Sequence, residues 1–269
     1  MKKLLLPVLL ALLTAAGAGA VSQVDSLLIN VNLLDDGSAL ISEDWSIDIV
    51  DGISEWYLVE GNMGKMRISG LGVTDENGMA FVSEGEGWVI DRSRSQKAGR
   101  CGLVRKADGY EICWGVGSSG KHKYHVVYKL SGLVKAYGDM DGFNHMFVSR
   151  GQESAPRNVV LRIFKDDTRF SPENAKIWGF GFKGEINFED GVIVARSTEP
   201  FSYRSGLIAL CGFDKGIFSP SLHDSGTFED LKSKALEGSS YNDDKALRNF
   251  FRMVLAFIAL ISVLGISAL

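Results

Sequence analysis

The sequence lacks the patterns that identify several protein classes. It contains no Asn-x-Ser/Thr sequon, which disfavours a eukaryotic cell-surface protein. It has no internal repeat and no long low-complexity tract. No run of basic residues occurs in a chain of net charge −4, so the electrostatic footprint of a nucleic-acid-binding protein is missing. We therefore expect no nucleic-acid partner.

The motifs of common enzyme classes are also absent. There is no His-Glu-x-x-His zinc motif and no Gly-x-Ser-x-Gly nucleophile elbow, although serine, aspartate and glutamate are plentiful. No pair of acidic residues can be assigned to catalysis from its spacing. The sequence thus identifies no catalytic, cofactor-binding, metal-binding or ligand-binding residue. It predicts no cofactor and favours a non-enzymatic role.

Residues 1–20 have the pattern of a secretory signal peptide. Two lysines precede an apolar stretch over 4–16, and the small residues at 18–20 suit a signal peptidase. We expect the mature chain to begin at Val21. Loss of the two lysines would change its net charge from −4 to −6.

A second apolar run, 253–269, contains no charged residue. A helix of this run would be about 25 Å long, slightly short of a hydrocarbon core of about 30 Å, and Phe250 and Phe251 can extend it. We expect a transmembrane helix over 249–269, with the N-terminal domain outside the cell membrane. The basic residues before this helix would then lie outside, against the positive-inside bias. We therefore expect the natural chain to continue beyond residue 269.

A GPI-anchor signal is a second interpretation of the same end. Gly238-Ser239-Ser240 are small residues, a polar spacer runs to Arg252, and an apolar tail follows. This pattern is typical of a eukaryotic anchor, and the missing sequon disfavours it. The alternative predicts a chain attached to the lipid bilayer without a spanning helix.

Alternation of apolar and polar residues dominates the segment from Val24 to Phe213. One such run is Ile41, Trp45, Ile47 and Ile49, and similar runs recur along this segment. Tight-turn dipeptides punctuate the runs: Asp36-Gly37, Asn77-Gly78, Asp108-Gly109 and Asp190-Gly191. The pattern predicts a mainly β protein, an antiparallel β-sandwich, over 21–220. The segment 150–157 interrupts the strands, and we expect a loop within one continuous domain there.

The residues beyond Phe218 have a different pattern, and we expect 221–248 to be a helical segment beside the membrane. Thr227 and Asp230 have the spacing of an N-terminal capping box. Apolar residues then recur at helical spacing before Gly238 ends the helix. A second helix, capped by Asp243 or Asp244, would lead into the membrane.

The three cysteines leave at least one thiol unpaired. Cys101 and Cys113 flank the Asp108-Gly109 turn, where a two-residue hairpin would place them on opposite faces. A three-residue loop would set them diagonally. Because disulfide geometry is demanding, we expect free, buried thiols.

A glycine-rich segment over 115–122 satisfies both G-x-G-x-x-G and G-x-x-x-x-G-K. Phosphate-binding loops of these types need a following helix, whose N-terminal amides hold the phosphates. Here residues 122–130 alternate as a strand, and His122 stands where a magnesium-binding Ser or Thr is required. We expect a hairpin loop and no nucleotide site.

Two sets of residues resemble metal ligands. His122 and His125 are three apart on a predicted strand, so their side chains should point to opposite faces. Asp139, Asp141 and Asn144 resemble the start of a calcium loop, but the third acidic position and the closing glutamate are absent. We expect no metal site at either place.

The tryptophans suggest a glycan-binding hypothesis, because exposed indoles stack on sugar rings. It requires at least two of them to be exposed on one face. Trp45 and Trp114 lie within strand patterns and are expected in the core. Trp178 and Trp56, which is followed by Tyr57, are expected to be partly exposed. The five tryptophans are Trp45, Trp56, Trp88, Trp114 and Trp178.

The order of several short motifs resembles a family of predicted bacterial membrane proteins, domain of unknown function family 2207. The motifs are Asp36-Gly37-Ser38, the segment 43–47, Glu111-Ile112-Cys113-Trp114-Gly115, the strand 124–130, Ile177-Trp178-Gly179, and Phe188-Glu189-Asp190-Gly191 before 192–195. The resemblance covers roughly Val24 to Phe213. It implies a signal peptide, an extracytoplasmic β domain, membrane helices and a cytoplasmic remainder. It brings no established activity and no functional residues.

The sequence therefore predicts a membrane-anchored extracytoplasmic protein of the bacterial cell envelope. We expect a binding or assembly module whose partners are the lipid bilayer and other envelope proteins or glycans. The alternative is an envelope hydrolase that acts on glycan or peptide through an unrecognised carboxylate site. A deep pocket lined by carboxylates would favour the hydrolase.

Overall fold

The computed structural model describes residues 21–237 and residue 239, and this part of the chain is mainly β. The strands are β1 (Gln23–Leu33), β2 (Ala39–Ile49), β3 (Glu55–Glu60), β4 (Arg67–Asp75), β5 (Val82–Ser83), β6 (Arg100–Arg105), β7 (Tyr110–Gly115), β8 (Gly120–Ser131), β9 (Lys135–Ala136), β10 (Asp141–Val148), β11 (Asn158–Phe164), β12 (Ala175–Phe180), β13 (Gly184–Glu189), β14 (Val192–Ser197) and β15 (Leu207–Phe213). The helices are α1 (Arg94–Lys97) and α2 (Phe228–Leu236). The predicted mainly β class is confirmed.

The strands form one large sheet and two small ones. The seven-stranded sheet has the order β13-β14-β11-β1-β2-β8-β4. The two four-stranded sheets have the orders β12-β15-β10-β9 and β3-β7-β6-β5. Most strand pairs are antiparallel, as predicted, but β1 pairs with β11 in parallel and β5 pairs with β6 in parallel, so the sheets are mixed. Alternation predicts which residues face inward, but it carries no information on strand direction.

Alternation produces the buried face of the large sheet. In β2 the residues Ala39, Ile41, Glu43, Trp45, Ile47 and Ile49 are buried, while the residues between them are exposed or half-buried. The registers of β1, β2 and β8 stack these side chains across the sheet. Trp45 on this face packs edge-on against Trp114 of β7, with ring centroids 6.0 Å apart. The large sheet and the β3-β7-β6-β5 sheet therefore share a hydrophobic core.

Turn chemistry explains the two-residue hairpin between β13 and β14. Glu189 pairs with Val192, so only Asp190 and Gly191 form the turn. Both have positive φ, 51° and 87°, as a type I′ turn requires. Asp36-Gly37 likewise lies in the turn between β1 and β2, with φ of 77° at the glycine. These two hairpin predictions are confirmed.

The segment 150–157 connects β10 to β11. Strands that precede this segment in the chain pair with strands that follow it: β1 pairs with β11, and β10 pairs with β15. The segment is therefore a loop between strands of shared sheets.

The predicted helix after Phe218 is present as α2. The Thr227 hydroxyl accepts a hydrogen bond from the Asp230 amide, and the Asp230 carboxylate accepts one from the Thr227 amide. This reciprocal pair is the predicted capping box, and its amides would otherwise be unpaired. Phe228 is buried under Tyr137, with ring centroids 6.1 Å apart, so the first turn is packed against the β domain. The helix ends at Leu236, with Glu237 as its C-cap.

The expected signal peptide, the second juxtamembrane helix and the transmembrane or GPI segment fall outside the residues that the structure describes. Neither helix in the described residues has the length and apolar character to cross a bilayer.

Candidate functional site

Four polar side chains meet in the interior where the three sheets adjoin. Glu43 of β2 and Tyr128 of β8 come from the large sheet, Glu60 ends β3, and His145 lies on β10. They are between 2% and 4% exposed. Buried glutamates are rare unless their oxygens have partners. We call these four residues the buried carboxylate cluster.

The hydroxyl of Tyr128 bridges the two carboxyl groups of the cluster. Its oxygen lies 2.8 Å from Oε1 of Glu43 and 3.0 Å from Oε1 of Glu60. The other oxygen of Glu43 accepts a hydrogen bond from Nε1 of Trp45 at 2.8 Å. Nε2 of His145 lies 3.1 Å from Oε2 of Glu60. Each carboxyl oxygen of the pair therefore has a polar partner.

The strand registers explain how the cluster forms. Tyr128 lies opposite Ile41, and Glu43 lies opposite Val126, so Tyr128 and Glu43 are diagonal neighbours on one face. Glu60 faces the same interior because it follows Leu58 at the strand period of two, and both are buried.

The cluster must hold an additional proton to satisfy its hydrogen bonds. Tyr128 has a single hydroxyl proton, and an ionised carboxylate only accepts, so two ionised glutamates cannot both bond to that oxygen. Burial, and then the negative charge of Glu60, raise the pKa of Glu43 to about 8. Burial and the charges of both glutamates also raise the pKa of Tyr128. Glu43 is therefore protonated at neutral pH and donates to Tyr128, which donates to Glu60.

The four side chains of the cluster are too buried to act directly on a dissolved substrate. A general acid must come within hydrogen-bond reach of the group that it protonates, and side chains no more than 4% exposed are closed to a polymer. Within residues 21–237 there is also no group of three or more His, Cys, Asp or Glu side chains placed to hold a metal. The arrangement stores a proton and joins the sheets.

A separate, open cleft of about 440 Å³ runs beside β3. It is lined by Trp56, Tyr57 and Val59 of β3, and by the loop 150–154 together with Tyr203. The side chains of Tyr57 and Tyr203 are 54% and 64% exposed. We call this feature the β3 cleft. Its aromatic rings and its size are typical of a binding site.

The charged residues of the β3 cleft are of both signs. Arg150, Glu55 and Glu153 line it. Glu55 is already engaged, because its Oε2 lies 3.0 Å from Nζ of the buried Lys97 and accepts a hydrogen bond from Trp88 at 2.8 Å. The cleft therefore presents no free pair of carboxylates held together in the way that a glycosidase requires.

The glycan-platform hypothesis is wrong for the described residues. Trp45, Trp88 and Trp114 are buried, and Trp56 and Trp178 are half-buried. None is exposed, because strand alternation and the packing of α2 turn the indoles inward. The expected core positions of Trp45 and Trp114 and the partial exposure of Trp56 and Trp178 are confirmed.

The histidine and aspartate sets have other partners. His122 faces Glu76 at 3.1 Å and His125 faces Asp44 at 2.7 Å, on opposite faces of β8. The oxygens of Asp139 accept from the amides of Phe228 and Glu229 at the start of α2. Asp141 is buried against Lys215 at 2.7 Å, while Asn144 is exposed. These contacts replace the calcium loop that the spacing resembles.

The glycine-rich segment leads from β7 into β8, and no helix follows it. The expected hairpin is wrong, because β7 and β8 belong to different sheets and the segment crosses between them. The expected strand over 122–130 is confirmed, as part of β8. Cys101 faces Trp114 across β6 and β7, which puts Cys113 on the other face. The cysteines at 101, 113 and 211 are free and buried, as expected.

Sequence reasoning missed the buried carboxylate cluster, although a signal for it exists. Glu43 occupies an inward position of the alternation between Ile41 and Trp45, and His145 does so between Phe143 and Phe147. A charged residue at an inward position implies a buried partner. The identity of the partners, Glu60 and Tyr128, depends on how the strands and sheets pack. No local sequence pattern predicts it.

Comparison with known proteins assigns no family. No family model and no curated protein matches the chain. Among solved structures, yeast LTA4 hydrolase is similar over 71% of this chain and 29% of its own, at 7% identity and a TM-score of 0.41. The chain thus spans less than a third of that hydrolase. A Legionella pneumophila protein described as nutrient binding matches over 71% of this chain and 67% of its own, at 10% identity and a TM-score of 0.43.

An M1 zinc metallopeptidase from Deinococcus radiodurans is similar over 70% of this chain and 42% of its own, at 12% identity and a TM-score of 0.36. TM-scores below 0.5 at these identities support no functional assignment. The resemblance to family 2207 stays a prediction, since no comparison tests it.

Proposed function

We propose that this chain is a membrane-anchored, extracytoplasmic β-sandwich protein of a bacterial cell envelope that acts as a binding or assembly module. The export pattern of 1–20, the apolar run 253–269 and the resemblance to family 2207 support the location. Its partners would be the lipid bilayer, through the C-terminal helix, and envelope proteins or glycans. The β3 cleft is the observation that carries the binding role.

The distribution of polar groups supports binding over catalysis. The buried carboxylate cluster, which holds the shared proton, is closed to solvent. The open β3 cleft instead presents aromatic and apolar side chains, with Glu55 engaged by Lys97 and Trp88. Apolar clefts with a few polar groups are typical binding sites.

Protease accessibility in intact spheroplasts, combined with carbonate extraction of the membranes, tests the location. Digestion from outside together with retention in the membrane pellet is expected. A protected or extractable protein would contradict the proposed anchoring.

Binding is tested with the full chain in detergent against envelope peptide and glycan fragments, followed by tryptophan fluorescence. Tyr203→Ala in the β3 cleft is expected to weaken binding. Val82→Ala is the matched control, because Val82 is exposed on β5 at the opposite edge of the same small sheet. Mass spectrometry of the same mixtures detects cleavage, and turnover of any fragment would establish the hydrolase instead.

A further inference from the structure

The free edge of β3 lies along the β3 cleft. β3 pairs on one side with β7 and is the terminal strand of its sheet. We propose that this edge accepts an extended segment of a partner polypeptide, which adds to the sheet as a further strand. This inference rests on the proposed binding function and names the class of ligand.

The backbone of β3 shows which groups are available. The carbonyl of Ser54 accepts from the Val116 amide, so Ser54 and every second residue after it direct their backbone groups toward β7. Glu55, Tyr57 and Val59 therefore direct theirs outward. Within residues 21–237, the only hydrogen bond to an outward group of these three residues is the one from the Ser149 hydroxyl to the Val59 carbonyl, at 2.6 Å.

This pattern favours a polypeptide over other ligands. The unpaired amides and carbonyls alternate at a repeat of two residues, about 7 Å along the strand. Another extended backbone presents donors and acceptors at the same repeat, so it can satisfy all of them at once, as in β-strand addition. Ser149 occupies the Val59 carbonyl and marks the end of the available edge.

The shape of the β3 cleft favours a single strand over the sheet edge of a second copy. A strand residue fills about 3.3 by 4.8 by 10 Å, so a volume of about 440 Å³ holds roughly three residues. The loop 150–154 and Tyr203 bound the cleft, and the Tyr203 carbonyl accepts from the Gly151 amide at 2.8 Å. A folded sheet brings further strands beside its edge strand, and these would collide with the loop.

The side chains around the edge indicate the composition of the partner segment. Tyr57 and Val59 present exposed apolar surface, and Arg150 and Glu153 provide one charge of each sign. We infer a segment of alternating apolar and small polar residues without a strong net charge.

Isomeric N-methylated peptides test the proposal. The probes are blocked five-residue peptides in which Val or Phe alternates with Thr, titrated by fluorescence anisotropy into the full chain in detergent. Methylation of alternate amides gives two isomers, one with methyl groups at odd positions and one at even positions. Only alternate residues of an added strand face β3, so one isomer should bind at least tenfold more weakly and the other within about twofold of the parent.

A pair of variants tests the same contact from the protein side. Tyr57→Ala removes the ring and keeps the outward amide, whereas Tyr57→Pro removes both, and proline is tolerated on an edge strand. Tyr57→Pro should bind the parent peptide at least tenfold more weakly than Tyr57→Ala does. If Tyr57→Pro fails to fold, the two isomers decide the matter.

The outcomes separate the two proposals. Strand addition is overturned if both isomers bind equally more weakly than the parent peptide, or if neither binds more weakly than the parent. If the parent peptides do not bind, but an envelope glycan binds and Tyr203→Ala weakens that binding, strand addition is overturned. The proposed binding module then still stands. If neither peptide nor glycan binds, both proposals fall.

Discussion

The carboxyl groups of Glu43 and Glu60 are joined through one hydroxyl oxygen, that of Tyr128, at 2.8 and 3.0 Å. The two glutamates come from different sheets, β2 and β3. The hydroxyl supplies one proton for two acceptors, so the junction is complete only while one carboxyl group is protonated. The proton thus contributes to how the sheets are held together.

Stability should fall as the pH rises through the range in which Glu43 loses its proton. The unfolded chain releases this proton near pH 4.5, whereas the folded chain holds it to a pKa of about 8. Because the folded state binds the extra proton between these values, this contribution is complete below pH 4.5 and is lost by pH 8. The expected slope is at most about 1.4 kcal/mol per pH unit. Urea unfolding at pH 5, 6.5, 8 and 9 measures it.

Glu43→Gln isolates this effect, because the amide has the shape of the neutral acid and does not titrate. The free energy of unfolding of the wild type minus that of the variant should decline between pH 5 and 8 and then level. Asp48→Asn is the control, since Asp48 lies on the exposed face of the same strand. A wild-type slope that persists in Glu43→Gln would refute the shared proton.

Tyr128→Phe should destabilise the folded chain by about 2–3 kcal/mol, because it leaves two buried carboxyl groups without their common partner. Tyr124→Phe is the matched control. Tyr124 is buried on the same face of β8, and within the described residues its hydroxyl has no hydrogen-bond partner. Equal effects of the two substitutions would contradict the bridging role.

Gly191→Ala should destabilise the β13–β14 hairpin through both strain and collision. Its φ is 87°, and an added Cβ would lie 2.8 Å from Cβ of Arg169. Gly216 has a φ of 93° with open space around it, so Gly216→Ala measures the strain alone, about 1 kcal/mol. The free energy of unfolding should fall by about 1–3 kcal/mol more in Gly191→Ala. If the two variants are equally stable, the contact with Arg169 is unimportant.

The three thiols should resist alkylation in the folded chain. Burial raises the pKa of Cys113 to about 12, with smaller contributions from the charges of Glu55 and Glu111. Burial also raises the pKa of Cys101 and of Cys211. Because the thiolate is the reactive form, iodoacetamide at pH 8 should label the cysteines only after unfolding. Rapid labelling of any one of them without denaturant, measured by intact mass, would show that its site opens.

The sequence predicts much of the local structure and little of the assembly. Alternation at Ile41, Trp45 and Ile47 predicts which face of β2 is buried, and Asp190-Gly191 predicts its own turn, because both depend on neighbouring residues. The pairing of β1 with β11 depends on contacts between distant segments, as Ser26 lies beside Asn158. The β3 cleft is not predictable for the same reason, since Tyr57 and Tyr203 come to line one cleft only after the sheets pack.

The position of β1 also has a consequence for how the chain reaches its folded state. β1 is an interior strand of the large sheet, yet one of its two neighbours, β11, is synthesised only after residue 157. Until then β1 has an open edge that can pair with another chain. Contacts of such long sequence separation slow folding. A nascent chain is therefore the form most exposed to aggregation, and it is the form that would most need a chaperone.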